Sequence, residues 1–368
     1  MVYVNTADIS APKKISIPPL KEFSRRDISP VKVTAPTLSL ANIEGSVSEK
    51  ILGILTSKSV RRGPRSLIEP FLPELLSSID RLVQNNQPIN LILPSLPFKD
   101  QSPFTTGVSI DHADLCEHAM FAQIKRVVEA IATVYKSGAH MTLLCDGYIY
   151  ADIFAQGDKD GAGRYKAACE KIKNEYGLHN QVTLFDMREV LFDMPEWHKV
   201  HSEILQIIQE LKQNDPEVGD RLNVLSKQFI FHVALPEPHN SYEAARALYE
   251  QEPWPEWLTE LMLNSAIEYC AIHLTLAHTD LVTRAFPSAI RCTVHPKAAA
   301  QIPLHLTNPD NSLLPYNGIA TVSLLEYQKG KSLFEALRVR RLCDVMTLPN
   351  VTAIHVTGDS HPFYYEIG

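Results

Sequence analysis

The chain lacks most of the signatures by which a sequence declares its chemistry. No stretch approaches the roughly 20 consecutive apolar residues of a membrane-spanning helix, so no membrane partner is expected. The six cysteines (116, 145, 169, 270, 292 and 343) are scattered with no CxxC pair, which argues against a disulfide frame or a zinc site and for reduced, small apolar side chains. Positive charge is not in excess: 35 Lys and Arg stand against 42 Asp and Glu, a net charge of −7. A nucleic-acid surface is therefore not expected, and any phosphate must be met by a local basic cluster. GxxxxGK[ST], HExxH and GxSxG are all missing, and no metal site is expected. The nearest approach to a dinucleotide fingerprint, Asp160-Gly161-Ala162-Gly163-Arg164, has no apolar strand in front of it. The Pro-, Ser- and Lys-rich stretch from Met1 to Ala41 has no apolar core of a secretory signal, so a cytoplasmic protein with an extended N-terminal arm over 1–41 is expected.

What remains is long enough and, at 45% hydrophobic, apolar enough for a sizeable core. Short apolar runs read as strands at Ile89–Pro94, His140–Asp146, Val182–Asp186, 289–297, Ala320–Glu326 and Val351–Val356. Between them, helices are predicted over 46–57, 66–84, 111–135, 161–176, 196–231 (broken near Pro216), 257–281 and 332–344. Strands alternating with helices predict an α/β fold with a largely parallel sheet flanked by helices. The helix-rich stretch of about 196–281 reads as an insertion or cap.

The most informative segment is Ala289-Ile290-Arg291-Cys292-Thr293-Val294-His295-Pro296-Lys297. As a strand it puts Arg291, Thr293 and His295 on one face and Cys292 and Val294 on the other. A guanidinium fork beside an imidazole suits a phosphorylated or carboxylated small molecule. The alternatives are an internal Arg–Asp pair and a satisfied core histidine. Lys99, in a Pro-bounded loop beyond a strand end, sits where open α/β sheets bind ligands, or is a solvated loop lysine. Asp114 and Glu117, three apart near a helix start, share a face; they grip an ammonium, move protons, or merely charge a first helical turn. Asp146-Gly147 at a strand's C-terminal end points into a cleft or makes a turn. Lys58-Ser59-Val60-Arg61-Arg62-Gly63-Pro64-Arg65 receives a phosphate or is a solvated basic turn.

Taken in order, Leu96-Pro97-Phe98-Lys99, Asp114-Leu115-Cys116-Glu117, Cys145-Asp146-Gly147 and Ile290-Arg291-Cys292-Thr293-Val294-His295-Pro296 resemble the isonitrile (isocyanide) synthase family, also called the pyoverdine/dityrosine biosynthesis family. No one motif is specific; the ordered set is. The resemblance runs from about residue 46 to the C-terminus and implies a Rossmann-like catalytic domain over 42–368. It implies condensation of an amino acid's α-amine with the ketone of ribulose 5-phosphate, imine formation and sugar fragmentation. One sugar carbon stays as the isonitrile carbon. No redox cofactor or metal is implied, and the partners are the two small-molecule substrates and a downstream oxygenase.

On this reading His295, with Asp146 or Glu117, moves protons. Arg291, Lys99 and the Arg61/Arg62 pair meet phosphate and carboxylate, with Lys297 behind them, and Asp114 or Glu117 meets the amine. Lys99 as a Schiff base is a secondary option. Two departures stand out: Cys145 replaces a Ser, and Tyr316-Asn317 stands where many members carry Trp-His, which places both residues in the substrate site. They motivate two alternatives: a related phosphosugar/amine-condensing enzyme with another substrate, and a non-catalytic anion-binding relative.

Overall fold

The computed structural model describes residues 16–40, 44–192 and 196–368. Of the expected arm, residues 1–15 and 41 lie outside the described residues; 16–40 contain no helix. The arm is pinned by its backbone: Tyr242 Oη and Arg246 Nε donate to the carbonyls of Pro18 and Ile17 at 3.0 and 2.9 Å, and Val33 N donates to Tyr176 Oη at 3.0 Å. Its Ser24–Ile28 form β1.

Five parallel strands carry the first sheet: β2 (Ile89–Pro94), β3 (Ala139–Cys145), β4 (Val182–Asp186), β5 (Ile290–Thr293) and β6 (Ile302–Pro303), in the order β4-β3-β2-β5-β6. Helices cover strands of this kind on both faces, so β2 reads Ile-Asn-Leu-Ile-Leu-Pro with little polar alternation. From β2 the chain moves to one side for β3 and β4, then returns on the other as β5 and β6. That reversal opens a crevice beyond the C-terminal ends of β2 and β5, where doubly wound sheets bind ligands.

The C-terminal third builds a second, mixed sheet, β1-β9-β10-β7-β8, from β7 (Ile319–Ser323), β8 (Leu337–Arg340), β9 (Val351–Val356) and β10 (Tyr364–Ile367). The helix predicted over 332–344 is instead β8 between two short helical turns. The Ser332/Glu335 capping box starts a helix of only one turn. Leu337 and Val339 then alternate into the core with the period of a strand.

The first helices are α1 (Val47–Thr56) and α2 (Leu72–Gln84); Pro70 lies in the 3-10 turn before α2 and Pro73 in its first turn, where a missing N–H is tolerated. Next come α3 (Leu115–Val134), α4 (Gly147–Phe154), α5 (Lys159–Glu175) and α6 (Met187–Phe192). The stretch read as an insertion carries α7 (Glu196–Asn214), α8 (Pro216–Phe229), α9 (Tyr242–Glu250) and α10 (Glu256–Thr279), with Pro216 making the break. Here α7, α8 and α10 share a small core of Ile208, Leu222, Ile267 and Ala271, and α10 also packs on α4. Helix α3 is the axis of the molecule. It packs on β3 and on β7 and the turn Pro315–Asn317. It is buried on most sides, Glu117, Gln123 and Arg126 included, with Lys125 and Glu129 on its exposed stripe.

Gly147 is demanded by close approach: a Cβ there would lie 2.0 Å from the Pro97 carbonyl oxygen. By contrast, a Cβ on Gly163, inside α5, would meet nothing within 4 Å. Gly147→Ala is expected to lower the unfolding temperature by overpacking worth roughly 1–3 kcal/mol. Gly163→Ala is expected to raise it through about 0.5–1 kcal/mol of helix propensity. Calorimetry of the two variants checks the pair.

Candidate active site

Beyond β2 the chain turns through Ser95 and Leu96, the latter a buried non-glycine residue at φ 82, a strained geometry of the kind that gathers at functional sites. Ser95 Oγ lies 3.0 Å from Tyr316 Oη, both buried. The Tyr316 carbonyl is held by Asp100 N at 2.9 Å. Beyond β3 comes Asp146, at the first residue before α4 and making no side-chain cap bond. Its Oδ1 is shielded from solvent and has no hydrogen-bond partner. Burial pushes its carboxyl up to about 7. The Asp146 charge acts on Tyr150, Tyr269 and Tyr316, so these four side chains share one neighbourhood.

The other wall is basic. Arg62 is delivered by its backbone N–H to the Pro303 carbonyl at 2.9 Å and by its guanidinium to the Ser312 carbonyl. Its charge acts on Tyr316, His295 and His305. His295 and Lys297 follow β5, open to solvent yet with protein packed around them, as on a concave surface. Surrounding protein first, then Arg62, His273 and Lys297, hold His295 down to about 4. It is therefore a neutral imidazole at neutral pH and a weak base. Arg291 is only loosely paired, 4.0 Å from the exposed Asp280, and its buried Nε is unpartnered. Burial lowers the pKa of Arg291 against the pull of Asp280, and burial and then the Arg291 charge lower that of Lys297.

Lys99, Asp114 and Glu117 come together, but inside the protein. Lys99 Nζ is 3.0 Å from Asp114 Oδ2, 3.0 Å from Glu117 Oε1 and 3.1 Å from the Pro315 carbonyl. Glu117 also accepts from Tyr165 Oη at 2.7 Å and from Asp114 N at 2.8 Å, while Asp114 caps α3 through Cys116 N at 2.7 Å. Burial works against the ammonium, but Asp114 and Glu117 outweigh it and raise its pKa above the ordinary lysine value. Burial raises Glu117 to about 7 against the pull of Lys99. A fully buried, charged Lys99 with two carboxylate partners has no lone pair for a Schiff base and no free charge for a phosphate. Asp114 and Glu117 likewise have no exposed oxygen for an ammonium. The structure thus places Lys99, Asp114 and Glu117 in contact with one another inside the protein, behind the crevice wall and not on it. Arg61 is also spent locally, on the carbonyls of Thr56 and Gly63. Asn317 is half-buried, its backbone N–H turned back to Leu314.

The crevice thus holds Asp146, Tyr316, Arg62, His295, Arg291 and Lys297 from the sequence reading. It adds Ser95, Tyr150, Tyr269 and His273, which that reading missed. The signal for the last three was spacing: Tyr150/Phe154 on α4 and Tyr269/His273 on α10 are each four apart. A surface cavity of about 450 Å³ lies at the opposite, N-terminal ends of β2 and β3, lined by Asn90, Gly138 and His140 among others, away from these groups. Among the described residues no helix is long and apolar enough to cross a membrane.

The model of the family described as "Pyoverdine/dityrosine biosynthesis protein" matches residues 79–228, the stretch holding Lys99, Asp114, Glu117 and Asp146. The L-tryptophan isonitrile synthase AmbI1 of Fischerella ambigua is 24% identical over 230 residues, 62% of this chain and 67% of that protein. The L-tyrosine isonitrile synthase of Pseudomonas aeruginosa is 25% identical over 255 residues, 67% of this chain and 73% of that protein. The crystal structure of the PvcA protein from Pseudomonas aeruginosa shares the fold, with a TM-score of 0.65 at 18% identity over 88% of this chain and 100% of that one. The chain is thus similar to the pyoverdine/dityrosine biosynthesis protein family over residues 79–228 and to isonitrile synthases at 22–25% identity.

Two outcomes follow from the geometry. Lys99→Met strands two buried carboxylates and is expected to cost about 3–5 kcal/mol. Adding Asp114→Asn and Glu117→Gln restores part of the loss, which urea unfolding of both variants measures. Asp146 ionises at a higher pH folded than unfolded, where its ordinary value is 3.8. The unfolded chain therefore gives up this proton first, and the group's contribution to stability falls from about pH 4 to about pH 7. Asp146→Asn is expected to gain on wild type across that window and hold the gain above it, read as unfolding temperature against pH.

Proposed function

We propose that this chain is an isonitrile synthase that turns the α-amine of an amino acid into an isocyanide, with ribulose 5-phosphate supplying the carbon. Relatives named as L-tryptophan and L-tyrosine isonitrile synthases support the conversion of an amino acid to an isonitrile. The observation that carries it is Asp146, a carboxyl with one shielded and unpartnered oxygen, Oδ1, that burial raises to about 7 at the switch-point crevice. A group poised near the working pH is the best general acid–base catalyst. Imine formation and sugar fragmentation both need protons moved at the reacting carbon. Arg62, Arg291 and Lys297 supply the cations that a phosphate and an amino-acid carboxylate require. His295 lies among these cations as a neutral imidazole and offers a lone pair to a sugar hydroxyl. The Ser95–Tyr316 hydroxyl pair gives the ketone oxygen a hydrogen-bond donor. The isonitrile is then consumed by a downstream oxygenase.

Incubation with ribulose 5-phosphate and each common amino acid is expected to give, with at least one, a product gaining one carbon and losing two hydrogens by mass spectrometry. His295→Ala is expected to remove most turnover, and Arg291→Ala mainly to weaken phosphosugar affinity. Equal affinity in wild type and Arg291→Ala refutes that assignment. Bound phosphosugar without product from any amino acid moves the reading to another amine.

A further inference from the structure

We propose that His273 of α10 is a proton acceptor of this crevice, oriented by the Tyr269 carbonyl and paired with the Tyr150 hydroxyl, and that it takes the proton of the amine substrate. The proposal rests on the amine-condensing reading above and assigns a residue to a step that reading leaves open.

Helices α4 and α10 meet through interleaved aromatic rings. Tyr150 lies 6.0 Å from Tyr269 and 5.8 Å from His273, centroid to centroid, and Phe154 lies 6.0 Å from Tyr269. Phe229 stacks on Phe154 at 5.6 Å and closes the inner, apolar end. At the other end gather the polar atoms of Tyr150, Tyr269 and His273, beside Asp146 on one side and Lys297 and His295 on the other. His273 joins the Tyr150–Tyr269 aromatic cluster to the basic wall at Lys297 and His295.

Its tautomer follows from its partners. His273 Nδ1 lies 3.0 Å from the Tyr269 carbonyl oxygen, which can only accept, so Nδ1 carries the hydrogen. Tyr150 Oη, 3.4 Å from the same nitrogen, then accepts and keeps its own proton for another group. The lone pair of the neutral ring is left on Nε2, which has no hydrogen-bond partner among the described residues. The facing titratable groups are Tyr150 from α4, Tyr269 on α10, and His295 and Lys297 from the loop after β5. Burial first, and Lys297 next, favour the neutral ring.

An amino acid arrives as an ammonium and attacks a ketone only as the free amine. Nε2 takes one ammonium proton, giving amine and imidazolium. The amine nitrogen bonds to the carbonyl carbon as the C–O π bond breaks, and one N–H proton passes from nitrogen to that oxygen, leaving a neutral carbinolamine. The imidazolium returns its proton to the departing hydroxyl, which leaves as water, and the imine nitrogen keeps the positive charge. Protons and charge balance with no further reactant.

The test uses the full chain labelled with ¹⁵N-histidine, and the variant His273→Asn, which keeps a donor for the Tyr269 carbonyl but lacks Nε2. Long-range ¹H–¹⁵N spectra are expected to show His273 hydrogen-bearing at Nδ1, with an Nε2 resonance that moves on adding ribulose 5-phosphate. His273→Asn is expected to unfold at the wild-type temperature. It should lose about 10²–10⁴-fold in kcat and one step of the acid limb of its kcat/KM profile. An Nε2-bearing tautomer, an Nε2 resonance unmoved by saturating phosphosugar, or wild-type kcat with an unchanged pH profile overturns the assignment. Absence of isonitrile from wild type with every amino acid defeats the reaction reading instead, and the spectra then decide His273 alone.

Discussion

The structure depends on one buried charge, the ammonium of Lys99. It stands where the loop after β2, the N-terminus of α3, the hydroxyl of Tyr165 on α5 and the Pro315 carbonyl converge. An isolated charge at this depth is prohibitive, and so are two isolated carboxylates; together, with every oxygen engaged, they are tolerated. The consequence is geometric. The network fixes the start of the central helix and, through Pro315, the backbone that carries Tyr316. The Asp100–Tyr316 backbone bond adds a second anchor to the same turn. The crevice is therefore walled by groups whose positions are set from within the core.

Against that satisfied interior, the crevice is left unsatisfied. Asp146 keeps a shielded oxygen without a donor, Arg291 a buried Nε without an acceptor, and His295 a ring among cations. Leu96 stores backbone strain at the same sheet edge. A fold gains nothing from such groups in isolation; each costs stability that an incoming anion, ketone or amine can return. Polar groups unmet by the protein, gathered at a topological switch point, distinguish a site from a stretch of ordinary surface.

Much of the first sheet was legible because its strands announce themselves locally. Ile89–Pro94 and Val182–Asp186 are apolar runs closed by Pro or by a polar helix start, and they fold over those residues. The break at Pro216 was equally local. The second sheet was not legible as a sheet: β1 and β10 are short, and β1 pairs with β9 across more than 300 residues of sequence. At the site, the motif residues were legible as residue types, but their roles were not. Asp114-x-x-Glu117 and Lys99 look like a substrate grip in one dimension; in three they form a helix cap and its counterion, buried behind the crevice wall. Tyr269 and His273 carried only a spacing, which an ordinary buried helix shares.

The sequence by itself determined the fold class, the family resemblance and the chemistry on offer: carboxylates, an arginine–histidine segment, a basic turn and no nucleotide-binding loop. Local patterning and ordered motifs suffice for these because periodicity and residue type are properties of the chain alone. Only the tertiary structure decided which charges cancel one another and which are left for a ligand. Lys99 and Arg291 are both cations beside a strand. One meets two carboxylates at 3.0 Å in the core, and the other meets a single exposed one at 4.0 Å. That difference is made by desolvation and by partners brought from elsewhere in the chain, and a one-dimensional pattern contains neither.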